Sequence, residues 1–147
     1  MKKSAGQRSG VRRSTREALV VKKKWLDLIF AGRKTWEIRG TPTNKRGQIH
    51  LAESHAGGKL VGRACLVDCF SISPKTFKEH QKHHCLSSWA MVPYQDPYAW
   101  VFKDAERYEK PLDYDHKQGA VIWVHVCGLL LDLPTRLPSG MEHYARR

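Results

Sequence analysis

Long apolar runs are missing from this 147-residue chain: stretches such as Val121–Val124 and Leu129–Leu131 are far too short to cross a bilayer. A secretory leader is not expected either, because the charged opening is followed only by Ala18–Val21 before Lys22. Cysteine is scarce, four in all, too few for a disulfide framework at this length, which points to a reducing cytoplasmic setting. Acidic residues are also few: 14 Asp and Glu face 26 Lys and Arg, a net charge of +12. The remainder is ordinary. Hydrophobic residues at 41% and aromatics at 10% suffice for one compact domain and exclude a wholly disordered chain.

The excess charge is unevenly placed. Residues 1–16 carry Lys2, Lys3, Arg8, Arg12, Arg13 and Arg16 with no acid, and Ser and Gly stand among them. Residues 1–15 are therefore expected to be a disordered basic arm. A single domain follows over residues 16–133, and 134–147 form a C-terminal tail with Arg136, Arg146 and Arg147 against Glu142. Inside the domain, residues 22–46 hold eight basic residues against Asp27 and Glu37, a net of +6, whereas residues 47–133 come to −1. An arm plus one local patch suits a polyanion partner.

Hydrophobic patterning gives the elements. Ala18–Val21 reads as a first buried strand, and Lys24–Phe30 as a short helix with Trp25, Leu28 and Ile29 on one face, stopped by Gly32. Lys34–Arg39 alternates with period two, so Trp36 and Ile38 are expected to face the core, with Thr35, Glu37 and Arg39 on the opposite side. A loop over Gly40–Gly47 leads to strands at Gln48–Ala52 and Leu60–Phe70, split by the Gly57–Gly58 turn. Pro74 opens a helix over Lys75–His84, and Tyr98–Phe102 and Ala120–Val126 complete the strands. Five or six short strands with two helices favour a small, mostly antiparallel barrel of the α+β class.

Gly32, Lys34, Glu37, Arg39, Arg46 and Gly47 carry a resemblance. A helix ending in Gly-x-Lys, a strand reading Glu-x-Arg and a loop into Arg-Gly-x-Ile resemble the ASCH family of the PUA-like superfold. Later segments agree: Val61, Gly62, Val67 and Asp68 in one strand, then Tyr98–Phe102, Lys117 and Ile122–Trp123. The match spans about residues 17–126. It implies a PUA-like, mostly antiparallel β-barrel with two or three short helices. The chain departs from many relatives at Lys23-Lys24-Trp25, where they carry a Gln-Pro-aromatic entry to the first helix.

Lys34 stands at a helix-to-strand junction, where an ammonium suits a phosphate or a polarised base carbonyl. Glu37 can accept from a base amino group, and Arg39 offers a planar fork to phosphate or guanine. A plainer alternative has Glu37 and Arg39 serving only to pair with each other. The preferred reading is RNA or single-stranded nucleic acid bound in a groove between the first helix and the Lys34–Arg39 strand. Its candidate contacts are Lys23, Lys24, Trp25, Arg33, Lys34, Thr35, Glu37, Arg39, Lys45, Arg46 and Tyr94. The resemblance also implies an enzymatic alternative, a ribonuclease or an amidohydrolase acting on N4-acetylcytidine, a modified nucleoside. Such amidohydrolases use a Lys, a Thr three residues on and a distant Glu. Lys34 matches, Glu37 replaces the threonine, and Glu79 is the candidate distant acid. A third class, a protein-interaction adaptor, would use only the tails.

No metal or cofactor is expected. Cys65 and Cys69 on one strand lie roughly 13 Å apart, too far to share a zinc ion. His80 and His84 at i, i+4 have ligand spacing, but a solvated His-rich helix is the expected arrangement. Tyr98, Trp100 and Phe102 alternate on one face and, with Trp36 and Trp123, are expected in the core. Trp25 and Tyr94 are the stacking candidates.

Overall fold

The computed structural model describes residues 17–116 and 122–125. The basic arm, the C-terminal tail, Lys117 and the ends of the Ala120–Val126 segment lie outside the described residues. Strand β1 (Glu17–Val21) leads into helix α1 (Lys23–Phe30), then β2 (Trp36–Arg39), β3 (Gly47–Glu53) and β4 (Lys59–Ser71). Two short helices, α2 (Pro74–Glu79) and α3 (Gln81–His84), and a 3-10 turn (Trp89–Met91) precede β5 (Tyr98–Asp113) and β6 (Trp123–His125). These six described strands form one sheet in the order β2-β5-β4-β3-β1-β6. Among them only β1 and β3 run parallel; the other four pairings are antiparallel. The sheet curls into a half-barrel, an α+β fold of the expected class. No helix among the described residues is long and apolar enough to cross a membrane.

Local chemistry explains most boundaries. Gly32, at φ +75°, stops α1, and the Arg33 and Lys34 amides both return to the Leu28 carbonyl (3.0 and 3.1 Å). Leu26 and Ile29 supply the fully buried face of α1, so Leu26 rather than the expected Leu28 meets the core. The sheet wraps a main cluster of Leu19, Leu51, Leu66, Trp100 and Phe102, against which α1 packs. A second cluster of Trp36, Ile38, Ile72, Phe77, Leu86 and Ala99 lies on the outer face of β2 and β5, under α2 and α3.

Two expected elements differ. The helix expected over Lys75–His84 is broken at His80 (φ −120°, ψ 28°), which lets the His84 ring return to the Phe77 carbonyl at 2.7 Å. Cys85 in the left-handed region (φ 61°) then ends α3. The strand expected to end at Phe102 continues to Asp113. Beyond Phe102, whose amide donates to the Thr35 carbonyl, it pairs only with β4 among the described residues, through register shifts, so its charged stretch and Pro111 lie along an open edge that tolerates both.

Candidate functional site

Lys34 is the least expected side chain in the molecule: it is 2% exposed. Its ammonium donates to the Trp36 carbonyl at 2.8 Å and to the His84 carbonyl at 2.6 Å, and it sits 5.0 Å from the centre of the Trp25 ring. The Glu37 carboxylate is 4.0 Å away. Burial pushes the Lys34 pKa below the usual lysine range, and the Glu37 charge opposes that shift. A lysine expected to lean into an open cleft is instead a tie between β2 and α3.

Glu37 and Arg39 face inward beside it. Period-two alternation holds in β2, but both faces are covered. Trp36 and Ile38 meet the cap formed by α2 and α3, while Glu37 pairs across the sheet with Trp100 and Arg39 with Tyr98. Arg39 Nη2 donates to the Val20 carbonyl at 2.7 Å, and its Nε lies 3.6 Å from Glu37 Oε1. Glu37 Oε2 and Arg39 Nε are buried with no hydrogen-bond partner among the described residues. Lys34, Glu37 and Arg39 thus form a desolvated row of plus, minus and plus. Within the row one positive charge is uncompensated, and one acceptor and one donor remain unused.

Lys24 lies 4.4 Å above the half-buried Trp25 ring, and Arg33 stands exposed just before Lys34. Tyr94, 37% exposed, covers the backbone immediately after Arg39: a Cβ at Gly40 would fall 2.5 Å from its Cδ1.

A family model described as the ASCH domain matches residues 19–112. The chain belongs to the ASCH domain family. Its fold is similar to crystal structures of ZmASCH from Zymomonas mobilis. A serine-to-alanine mutant of that protein gives a TM-score of 0.63 at 15% identity, over 77% of this chain and 89% of the other. A tyrosine-to-phenylalanine mutant gives 0.56 at 16%, over 66% and 74%, and a third ZmASCH structure gives 0.55 at 14%, over 66% and 72%. No curated protein matches the chain.

Not every residue singled out from the sequence joins this part of the ASCH domain. The Thr35 hydroxyl turns to His83 Nδ1 (3.3 Å) and its amide to the His83 carbonyl (2.9 Å). Lys23 pairs with Asp27 on the outer side of α1. Lys45 is ion-paired with Glu17, and the Arg46 guanidinium braces the loop through the Thr43 and Lys45 carbonyls. Glu79 stands exposed, its carboxylate 4.0 Å from Lys75, and is not among the groups whose charge acts on Lys34. The His-rich segment is not solvated as expected. His84 is fully buried: its Nδ1 accepts from the Leu86 amide at 3.0 Å, its Nε2 donates to the Phe77 carbonyl, and burial lowers its pKa. His80 and His83 stack on Trp36 at 4.9 and 5.2 Å. No group of three or more His, Cys, Asp or Glu among the described residues is placed to hold a metal ion. The residue His84 stands out in sequence for its spacing from His80, but its role as the carbonyl that holds Lys34 does not, because a backbone carbonyl leaves no side-chain signature.

Proposed function

We propose that this ASCH domain binds RNA or single-stranded nucleic acid in the cytoplasm, where its described cysteines stay free thiols. In this reading an unpaired nucleotide sits where α1 meets β2. The observation that carries it is the buried Lys34–Glu37–Arg39 row, with its surplus positive charge and two unused hydrogen-bonding atoms. Family membership supports it, as do the exposed cations Lys24 and Arg33 at the rim. Phosphates would meet the rim, and a base would meet Trp25 or Tyr94 by stacking.

The test is fluorescence anisotropy with single-stranded RNA, comparing Lys24→Glu with Lys110→Glu. Both substitutions change the net charge equally, and both residues are exposed. A local contact makes Lys24→Glu the weaker binder by about ten- to a hundredfold, since one charge-assisted contact contributes about 1.5–3 kcal/mol. Equal losses would leave only diffuse attraction. The same incubations report on turnover. Loss of the acetyl group from N4-acetylcytidine, or RNA cleavage, dependent on Glu37 would favour the enzymatic alternative through Lys34 and Glu37.

A further inference from the structure

Charge balance over the described residues shows a segregation that the net of −1 over residues 47–133 conceals. On and beside the sheet most cations are matched with acids: Lys45 with Glu17, Lys59 with Asp113, Arg63 with Glu106 and Arg46 with Asp68, while Arg107 reaches across to Asp27 of α1. At the end built from α1, α2 and α3 Lys23 is paired with Asp27, but most cations are not matched. Lys22, Lys24, Arg33, Lys78 and Lys82 are exposed and make no ion pair among the described residues. Lys75, with a side chain 85% exposed, reaches Glu79 only at 4.0 Å. Glu79 is also the only acid between Pro74 and Cys85, a stretch with three lysines and three histidines.

We propose that α2 and α3 carry a second limb of the nucleic-acid surface, a ridge of Lys75, Lys78 and Lys82 that holds phosphates of the strand bound at Lys34. The inference rests on the reading under Proposed function. Three contacts make the two limbs continuous: Lys34 Nζ to the His84 carbonyl (2.6 Å), the Thr35 amide to the His83 carbonyl (2.9 Å), and Cys85 Sγ to the Arg33 carbonyl (3.4 Å). Arg33 and Lys34 therefore meet the C-terminal end of α3, the short helix that carries Lys82. Phe77 and His84 take the buried side of the short helices, which leaves the lysines outward. Lys75 and Lys78 are three apart, neighbours on a helix surface about 5–6 Å apart at Cβ, so two ammonium groups can reach successive phosphates. The charge of Lys82 registers on its neighbour: burial first, then Lys82 and His80, holds the His83 pKa below the usual histidine range.

The test is the salt dependence of anisotropy with a labelled single-stranded RNA of about 12 nucleotides. The full chain is compared with Lys75→Gln/Lys78→Gln and with Lys59→Gln/Lys110→Gln, each two charges poorer, and thermal melts establish that all are folded. Lys59 and Lys110 lie toward the far end of β4 and β5, where Lys59 pairs in register with Asp113. The ridge variant is expected to bind on the order of tenfold more weakly at about 0.1 M salt, with its log–log salt slope flatter by about 1.4, roughly 0.7 for each lost phosphate contact. The control variant is expected to keep most of the slope. Equal slopes in the two variants, or a ridge variant that binds as the wild type does, overturn the inference while the Lys34 site stands. Absence of RNA binding by the wild type overturns both. Polyglutamate that displaces the labelled RNA as effectively as unlabelled RNA would assign the ridge to acidic protein segments and also overturn it.

Discussion

Replacing Lys34 by methionine removes the ammonium and keeps most of the apolar stem beneath Trp25, so little packing is lost. What goes is a charged donor to two carbonyls, those of Trp36 and His84, and one of the two cations beside Glu37. Breaking a buried ion pair by deleting one partner costs about 3–5 kcal/mol, because the remaining groups stay desolvated. Against that, the buried ammonium itself is strained by desolvation, as its lowered pKa shows, and its removal relieves that cost. The net expectation is a loss of about 3 kcal/mol, a fall in Tm of roughly 12 °C or more for a domain of this size. Urea unfolding followed by tryptophan fluorescence measures it, with Lys34→Met/Glu37→Gln as the companion. Because Glu37 keeps Arg39 beside it, neutralising Glu37 as well should recover nothing and cost on the order of 1 kcal/mol more, since Arg39 then loses its counter-ion. A loss below about 1 kcal/mol in Lys34→Met would refute the view of Lys34 as a buried tie. Charge reversal at Lys34 is unsuitable as a binding assay for the same cause, because a carboxylate introduced there would face Glu37 in a dry site.

Two further outcomes are expected. His50 is buried, its Nδ1 2.5 Å from the Tyr108 hydroxyl, and burial lowers its pKa to about 4. The folded state therefore keeps it neutral where the unfolded chain takes up a proton. Its contribution is whole above about pH 6.5 and is lost as pH falls from there through about 4, about 3 kcal/mol in all. The stability gap between wild type and His50→Gln should shrink between about pH 7 and about pH 4.5; parallel curves would contradict this. Gly40→Ala should push the Tyr94 ring off the β2 backbone, since the added Cβ falls 2.5 Å from Cδ1 and 3.0 Å from Cγ. The ring is partly exposed and can swing away, so Tm should change by less than about 4 °C while RNA affinity falls; an unaltered affinity would remove Tyr94 from the site.

Period-two alternation over Lys34–Arg39 was legible, and so were the buried strands and the Gly32 stop. Alternation sorts side chains into two sets, but it does not say which set meets water. Here the outer set is roofed by α2 and α3 and the inner set lies within the curl, so Glu37 and Arg39 are buried on the side that their polarity marked as solvent. The Lys34 tie was illegible for a related reason: its partners are carbonyls, which every residue carries. The far half of β5 was hidden by its composition, since Asp104–Asp113 reads as a loop until β4 is there to pair with it. Lys45 stands out in sequence for its charge, and Arg46 for its charge and its place in the Arg-Gly-x-Ile motif; the acid and carbonyls that occupy them come from folding rather than local sequence.

Strand β2 ends the sheet, with only β5 beside it among the described residues, and such a border strand is an open template for association with another chain. Lys34 and α3 occupy the Thr35 amide and the Trp36 carbonyl at its start, and Glu37 and Arg39 place inward charges along its four residues. A second strand docking there would have to displace the helix and bury those charges further. The polar row is therefore also a guard against self-association. Variants that make β2 apolar, such as Glu37→Leu combined with Arg39→Leu, trade the polar row for a sticky margin, and their aggregation during refolding is the sign to look for.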